Sequence, residues 1–107
     1  MPEGTSAGEM PFDDIDAVDL ADFFKIFGDS TRLRILWALL SGEKCVEEIA
    51  AAAETSVSAC SHQLKTLRHS DLVKYRRDGK KILYSVSDEH VEMILTVALE
   101  HMREAEA

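Results

Sequence analysis

Two pairs of metal-binding side chains lie near the C-terminus of this 107-residue chain. Asp88 and His90 form the first pair, and His101 and Glu104 form the second, in the pattern D-x-H-x10-H-x2-E. Imidazole nitrogens and carboxylate oxygens bind divalent transition metals, and two of each suit Zn(II), with Co(II) close behind. Four protein ligands indicate a closed tetrahedral site, which is typical of a regulatory ion and not of a catalytic one.

The distance between the two pairs decides how they can bind one ion. The sequence predicts a helix from Glu89 to about Arg103, in which His101 follows His90 by eleven residues. The pairs then share one helix face but lie about 16 Å apart, whereas metal–ligand bonds are about 2 Å long. We therefore expect pairs from two antiparallel copies of the helix to combine, which predicts a homodimer with two symmetric metal sites.

The composition predicts one compact domain in the cytoplasm. Hydrophobic residues make up 46% of the chain, yet no apolar run reaches the ~18 residues of a membrane span. The N-terminal stretch MPEGTSAGEMPFDD lacks the basic and apolar regions of a signal peptide. The two cysteines, Cys45 and Cys60, form no CxxC pair, so we expect reduced thiols. The sequence shows no nucleophile–base pair, so we expect neither an enzyme nor a small-molecule substrate.

Charge is distributed unevenly along the chain. The formal net charge is −8, and residues 1–22 carry seven acids with no Lys or Arg. Residues 62–81, in contrast, carry seven Lys or Arg and two Asp, a local balance of +5. Local charge matters more than the total for a polyanionic partner such as double-stranded DNA. An ordinary solvated surface remains the alternative interpretation of this basic run.

Periodicity and turn residues predict the order α-α-α-α-β-β-α. We expect a flexible acidic tail over residues 1–15 and one folded domain over residues 16–107. Predicted helices span residues 16–27, 32–40, 46–54, 56–70 and 89–103, and predicted strands span residues 72–76 and 81–86. The strands flank Asp78-Gly79, which is a strong hairpin signal. Predicted helix caps are Asp29, Ser30 or Thr31, then Thr55 or Ser56, and finally Ser87 or Asp88.

The third and fourth helices and the basic hairpin predict a winged helix-turn-helix. Apolar residues at three- and four-residue steps give the fourth helix a core face of Val57, Cys60, Leu64 and Leu67. The third helix has an equivalent stripe, Val46, Ile49, Ala50 and Ala53. The fourth helix then presents polar groups suited to the DNA major groove: Ser56, Ser58, Ser61, His62, Gln63 and Lys65.

Individual residues of this unit have predicted contacts with operator DNA. Gln63 can pair bidentately with adenine, and Lys65 and Arg68 can reach phosphates. The hairpin tip carries Arg76, Arg77, Lys80 and Lys81, which can lie along the DNA backbone or in the minor groove. A helix-turn-helix that serves only protein contacts is the alternative.

These segments resemble a known family. The stretch SVSACSHQLKTLRHSDLVKYRRDGKKILYSV resembles the recognition helix and wing of the ArsR/SmtB family of bacterial metal-sensing repressors, and FGDSTRLRILWALLSGEKCVEEIA resembles its preceding helices. The resemblance covers about residues 16–105, and the C-terminal ligand spacing matches that of zinc-sensing members. It implies a dimer, joined through the first and last helices, that releases its operator when metal binds. It also implies a hydrogen bond from His101 to backbone near Asp71.

The resemblance also implies a second kind of metal site, built from thiolates at the start of the third helix. The corresponding segment of this chain has the sequence EKCVE, in which Glu47 occupies the position that a second thiol would take after Cys45. One soft ligand makes no thiolate site, so we expect this site to be absent. Three alternatives stay open: a repressor of the same fold that responds to Co(II) or Ni(II), one that responds to thiol oxidation at Cys45, or a zinc-stabilised interaction module without a DNA role.

Overall fold

The computed structural model describes residues 9–106, which form five helices and one two-stranded antiparallel sheet in the predicted order. The predicted winged helix-turn-helix is confirmed. Most of the predicted tail, like Ala107, lies outside the described residues, so the predicted domain division stays a prediction. The elements are α1 (Asp14–Ile26), α2 (Ser30–Leu39), α3 (Val46–Ala53), α4 (Val57–His69), β1 (Val73–Asp78), β2 (Lys81–Val86) and α5 (Glu89–Glu106).

Side-chain oxygens define where the helices begin. Asp13 accepts a hydrogen bond from the N–H of Asp16 at 2.9 Å, so α1 begins two residues earlier than predicted. Asp29 accepts from the N–H of Arg32 at 3.0 Å and caps α2. Ser56 caps α4 through the N–H of Ala59 at 3.1 Å. Each cap satisfies a donor that the first helical turn leaves without a partner.

Residues with a left-handed backbone conformation follow two of the helices and also form part of the hairpin turn. Glu54 has φ 56° directly after α3, and Asp71 has φ 58° shortly after α4. In the hairpin, Asp78 pairs with Lys81, so the turn consists of Gly79 and Lys80. Gly79 adopts φ 63°, a conformation that a residue without Cβ adopts easily.

One hydrophobic core fixes α4 against α2 and α3, and α5 closes it. Both predicted helix stripes are buried or half-buried except at Val57, which is 47% exposed. That prediction was wrong because Val57 begins α4, and helical side chains tilt toward the N-terminus, here beyond the packed turns. The buried residues are Ile35, Leu36, Leu39, Ile49, Ala50, Ala53, Cys60, Leu64, Leu67, Leu72, Val73, Val91 and Leu95.

A short backbone bridge, absent from the sequence-based prediction, attaches the wing to the helices. Lys44 and Tyr84 exchange two backbone hydrogen bonds, of 3.0 and 2.8 Å. The ammonium group of Lys44 also donates to the carbonyl of Ala38 at 2.7 Å and to the hydroxyl of Ser41 at 2.6 Å. A cation is favourable at this C-terminal end of α2, where backbone carbonyls lack partners. Lys44 thus connects α2, the segment before α3 and β2.

The first and last helices leave apolar surface uncovered. No residue of α1 is buried, and Ile15 and Val18 are among its exposed side chains. Met93 and Val97 are exposed on α5, although Val91 and Leu95 of the same helix enter the core. Between residues 9 and 106, no helix is long and apolar enough to span a membrane.

The left-handed residue after α3 gives a stability prediction. Replacing Glu54 with Gly should raise the free energy of unfolding by about 0.5 kcal/mol, because Gly adopts positive φ without a Cβ penalty. Replacing Ala51, an exposed residue inside α3, with Gly should lower the free energy of unfolding by about 1 kcal/mol. Urea unfolding followed by circular dichroism at fixed protein concentration measures both. An equal loss of stability in the two variants would contradict the prediction.

Candidate nucleic-acid interface and metal centre

The exposed face of α4 is polar. Ser58, Ser61, His62 and Lys65 are exposed, and no hydrogen bond or ion pair with another described residue engages their side chains. They lie opposite the buried stripe that packs α4 on α2 and α3. The core therefore holds the helix while these four side chains point outward, as major-groove contacts require.

Three other candidates on α4 have structural partners. The Oγ of Ser56 is the N-cap acceptor described above. The guanidinium of Arg68 lies 4.3 Å from the centre of the Tyr75 ring, a cation–π contact between α4 and the wing. Gln63 is half-buried, and its Oε1 accepts a hydrogen bond from the Nε of Arg32 at 2.8 Å.

The two arginines of the wing have different environments. Arg76 makes a two-pronged ion pair with Glu43, in which its Nε donates to Oε2 at 3.0 Å. This hydrogen bonding lowers the pKa of the Glu43 carboxyl, with a smaller contribution from the charge of Arg76. Neighbouring residues of a strand point to opposite sides, so Arg77 projects from the other face of β1. Arg77 and Lys80 are exposed and paired with no described residue.

Neither cysteine has the properties of a reactive thiolate. The backbone N–H of Glu48 favours the Cys45 thiolate, but the carboxylates of Glu48 and Glu47 and partial burial outweigh it and raise the pKa of this thiol. Burial in the core raises the pKa of the Cys60 thiol. Because metal binding and oxidation both proceed through the thiolate, these environments disfavour either reaction at Cys45 and Cys60.

Asp88 and His90 lie together where α5 begins. The Oδ1 of Asp88 accepts a hydrogen bond from the N–H of His90 at 2.8 Å and lies 3.3 Å from its Nδ1. The side chains are 57% and 76% exposed, respectively. The first carboxylate thus caps the helix and also orients the first imidazole. Both side chains are open to solvent and to a second chain.

The second candidate pair lies at the far end of the same helix. His101 and Glu104 are exposed, and α5 is continuous over its 18 residues. Its rise keeps the two pairs about 16 Å apart. Within one chain, residues 9–106 bring together no group of three or more His, Cys, Asp or Glu that could hold a metal ion.

Sequence reasoning missed the residues that hold the interface in place. Arg32, Glu43 and Tyr75 contact Gln63, Arg76 and Arg68, respectively. Arg32 and Glu43 are separated from their partners by 31 and 33 residues, a distance at which no local pattern signals a contact. A period-two strand pattern would have placed Arg76 and Arg77 on opposite faces, which was the one available signal.

The chain is similar in sequence to known bacterial regulators. A family model described as "Bacterial regulatory protein, arsR family" matches residues 29–75. The transcriptional repressor SmtB homolog of Synechocystis sp. is 43% identical over 90 residues, which cover 84% of this chain and 68% of that protein. The cadmium resistance transcriptional regulatory protein CadC homolog of Staphylococcus aureus is 41% identical over 88 residues, which cover 81% of this chain and 73% of that protein.

The fold is also similar to a solved structure from the same kind of protein. The homodimeric winged helix-turn-helix DNA-binding domain of Mb0332 from Mycobacterium bovis, described as a possible ArsR-family transcriptional regulator, superposes with a TM-score of 0.79. The two are 28% identical, and the match covers 94% of this chain and 93% of that chain.

The ion pair on the wing makes a prediction about pH. Because the folded state lowers the pKa of Glu43, the pair contributes stability above the ordinary value of 4.5 and loses it as pH falls through the folded pKa. Wild type should therefore be more stable than Glu43→Gln at pH 7, and the difference should shrink toward pH 3. Urea unfolding at both pH values measures this. The control is Glu54→Gln, which removes an exposed carboxylate that has no ion pair with a described residue. A stability difference between wild type and Glu43→Gln that does not change with pH would contradict the prediction.

Proposed function

Because the chain belongs to the arsR family of bacterial regulatory proteins, we propose that it is a cytoplasmic transcriptional repressor that binds operator DNA as a homodimer and releases it when Zn(II) binds. The observation that carries the DNA-binding part is the outward polar face of α4 beside a basic wing. Ser58, Ser61, His62 and Lys65 are the primary candidates for base and phosphate contacts, with Arg77 and Lys80 along the DNA backbone.

Uncovered apolar surface supports the homodimer. Ile15 and Val18 on α1, and Met93 and Val97 on α5, are exposed in one chain. Apolar side chains gather in this way where two subunits meet. The similar Mycobacterium bovis domain is described as homodimeric. We propose that α1 and α5 form the interface, which sets the separation of the two α4 helices. Half-sites lie about 34 Å apart, so a change in that separation weakens operator binding.

The donor set of α5 supports zinc as the signal. Asp88 and His90 of one chain, with His101 and Glu104 of the other, provide two nitrogens and two carboxylates, a set that suits Zn(II). All four side chains are exposed in a single chain and therefore available for an ion shared between copies. The Staphylococcus aureus relative is named for resistance to cadmium, a softer metal, but Cys45 and Cys60 here do not form a thiolate pair.

Metal and DNA need not touch each other for one to release the other. When bound, the ion supplies a cross-link between the two α5 helices. If the free dimer binds metal more tightly than the DNA-bound dimer does, linkage requires that metal lower DNA affinity by the same factor. The chain's own contribution is the rigid packing of α5 through Val91 and Leu95 onto the core that also holds α4.

Zinc titration against a fluorescent duplex tests this proposal directly. The duplex is one that the full chain selects from a random library. Zinc should weaken binding by at least about tenfold, a typical coupling of 1–3 kcal/mol. His90→Ala and His101→Ala should each abolish the response while leaving metal-free binding intact.

Matched controls separate the metal ligands from other groups. His69→Ala removes an exposed histidine of α4 and should keep the full zinc response, as should Cys45→Ser. A zinc response that survives His90→Ala and His101→Ala, or that disappears in Cys45→Ser, would contradict the proposed site. A chain that selects no duplex at all would contradict the DNA-binding function.

A further inference from the structure

The side chain of Gln63, on the recognition helix α4, contacts the protein at one end and leaves the other end open to solvent. Its side chain is half-buried, and its Oε1 accepts the 2.8 Å hydrogen bond from Arg32. A guanidinium carries only donors, so it pairs with the oxygen end of an amide and never with the nitrogen end. Arg32 therefore determines which end of the Gln63 amide is turned toward the protein.

Arg32 is itself held in place. Its backbone N–H donates to the capping carboxylate of Asp29 at 3.0 Å, which fixes its position in the first turn of α2. Its guanidinium also approaches the carbonyl of Ile26, at the end of α1, at 3.5 Å. The arginine is half-buried, so its side chain has restricted freedom. Gln63 thus rests against a donor that the fold has already positioned.

The nitrogen end of the amide remains available. No described residue accepts a hydrogen bond from the Nε2 of Gln63. In the described part of the chain, no buried side-chain nitrogen or oxygen lacks a partner, so this nitrogen must contact solvent. It lies next in sequence to His62 and two residues before Lys65, both exposed on the polar face of α4.

We propose that Arg32 is a specificity-determining residue that acts through Gln63, presenting the amide to DNA as a hydrogen-bond donor. This inference rests on the proposed operator binding. An unrestrained glutamine selects adenine by accepting from N6 while donating to N7. With its oxygen held by Arg32, Gln63 donates to N7, which adenine and guanine share. The contact then requires only an acceptor, such as the N7 of either purine, and does not select adenine, unlike the pairing that the sequence alone predicts.

Selection from a randomised duplex library tests the base preference. Wild type, Arg32→Ala and Gln63→Ala are each selected as full chains, and the relevant position is the one whose preference disappears in Gln63→Ala. Wild type should accept adenine and guanine there about equally. Arg32→Ala should shift the preference toward adenine, because the released amide can then turn both of its ends to the base.

A double-mutant cycle on the selected duplex that carries guanine at that position tests whether Arg32 acts through Gln63. Gln63→Ala should weaken binding about tenfold, the effect of losing one hydrogen bond to a base. Arg32→Ala should weaken it several-fold, and the double variant should lie within about twofold of Gln63→Ala. Circular dichroism confirms that each variant is folded.

Gln63→Glu separates specificity from a purely structural role. The carboxylate keeps a partner for Arg32, so thermal stability should be retained, yet it offers no donor to DNA. Binding to the selected duplex should fall more than binding to an unrelated duplex, whereas added negative charge alone would weaken both equally.

Negative results against the role of Arg32 can be distinguished from negative results against operator binding. An additive cycle, a wild type that accepts only adenine, or a Gln63→Glu variant that keeps its preference for the selected duplex would overturn the role of Arg32 while leaving operator binding intact. A wild-type chain that selects no sequence would overturn the proposed function and, with it, this inference.

Discussion

The length of α5 is the constraint on which the rest of the molecule depends. Its eighteen continuous residues separate the two candidate ligand pairs, with Asp88 and His90 where the helix begins and His101 and Glu104 near its end. Side-chain rotation cannot close a gap of about 16 Å, so residues 9–106 of a single chain contain two halves of the proposed site and no complete one. The same helix exposes Met93 and Val97 while its opposite face enters the core. The proposed metal site and the burial of apolar surface therefore both call for a second copy of the chain.

One hydrophobic core holds this helix together with α4, which carries the candidate DNA-binding face. Val91 and Leu95 of α5 belong to the buried cluster that also contains Cys60, Leu64 and Leu67 of α4. Close-packed cores transmit displacement because they are not freely deformable. Three polar contacts then set the details of the surface: Gln63 with Arg32, Arg68 with Tyr75, and Arg76 with Glu43. Basic residues at this surface thus divide into those that have partners within the fold and those, such as Arg77 and Lys80, that are proposed to contact DNA.

Local patterns in the sequence predicted the elements well, for identifiable physical reasons. Capping aspartates and serines, helical periodicity and the Asp78-Gly79 turn all act over a few residues, so order and strand pairing followed from them. The core stripe of α4 followed too, except at Val57, whose position at the helix start removes it from the packed turns. Metal ligands could be proposed because a fixed helical rise converts sequence spacing into distance.

Contacts between distant segments could not be predicted in the same way. The pairing of Lys44 with Tyr84 and of Arg32 with Gln63 depends on how whole elements pack, and either partner alone looks like an ordinary surface residue. For this reason Gln63 and Arg76 appeared as free DNA contacts in the sequence but have intramolecular partners in the structure. The acidic stretch before α1 gave no local signal of a role beyond its charge.

A mixed dimer tests the shared metal site most directly. Purified His90→Ala and His101→Ala chains are each expected to bind zinc weakly, and they are then mixed and allowed to exchange subunits. If each site takes Asp88 and His90 from one chain and His101 and Glu104 from its partner, every mixed dimer regains one intact site. Tight zinc binding should return, at one ion per mixed dimer, as measured by competition with a chelating dye. Mixtures that bind zinc no better than the separate variants would contradict a site shared between two chains.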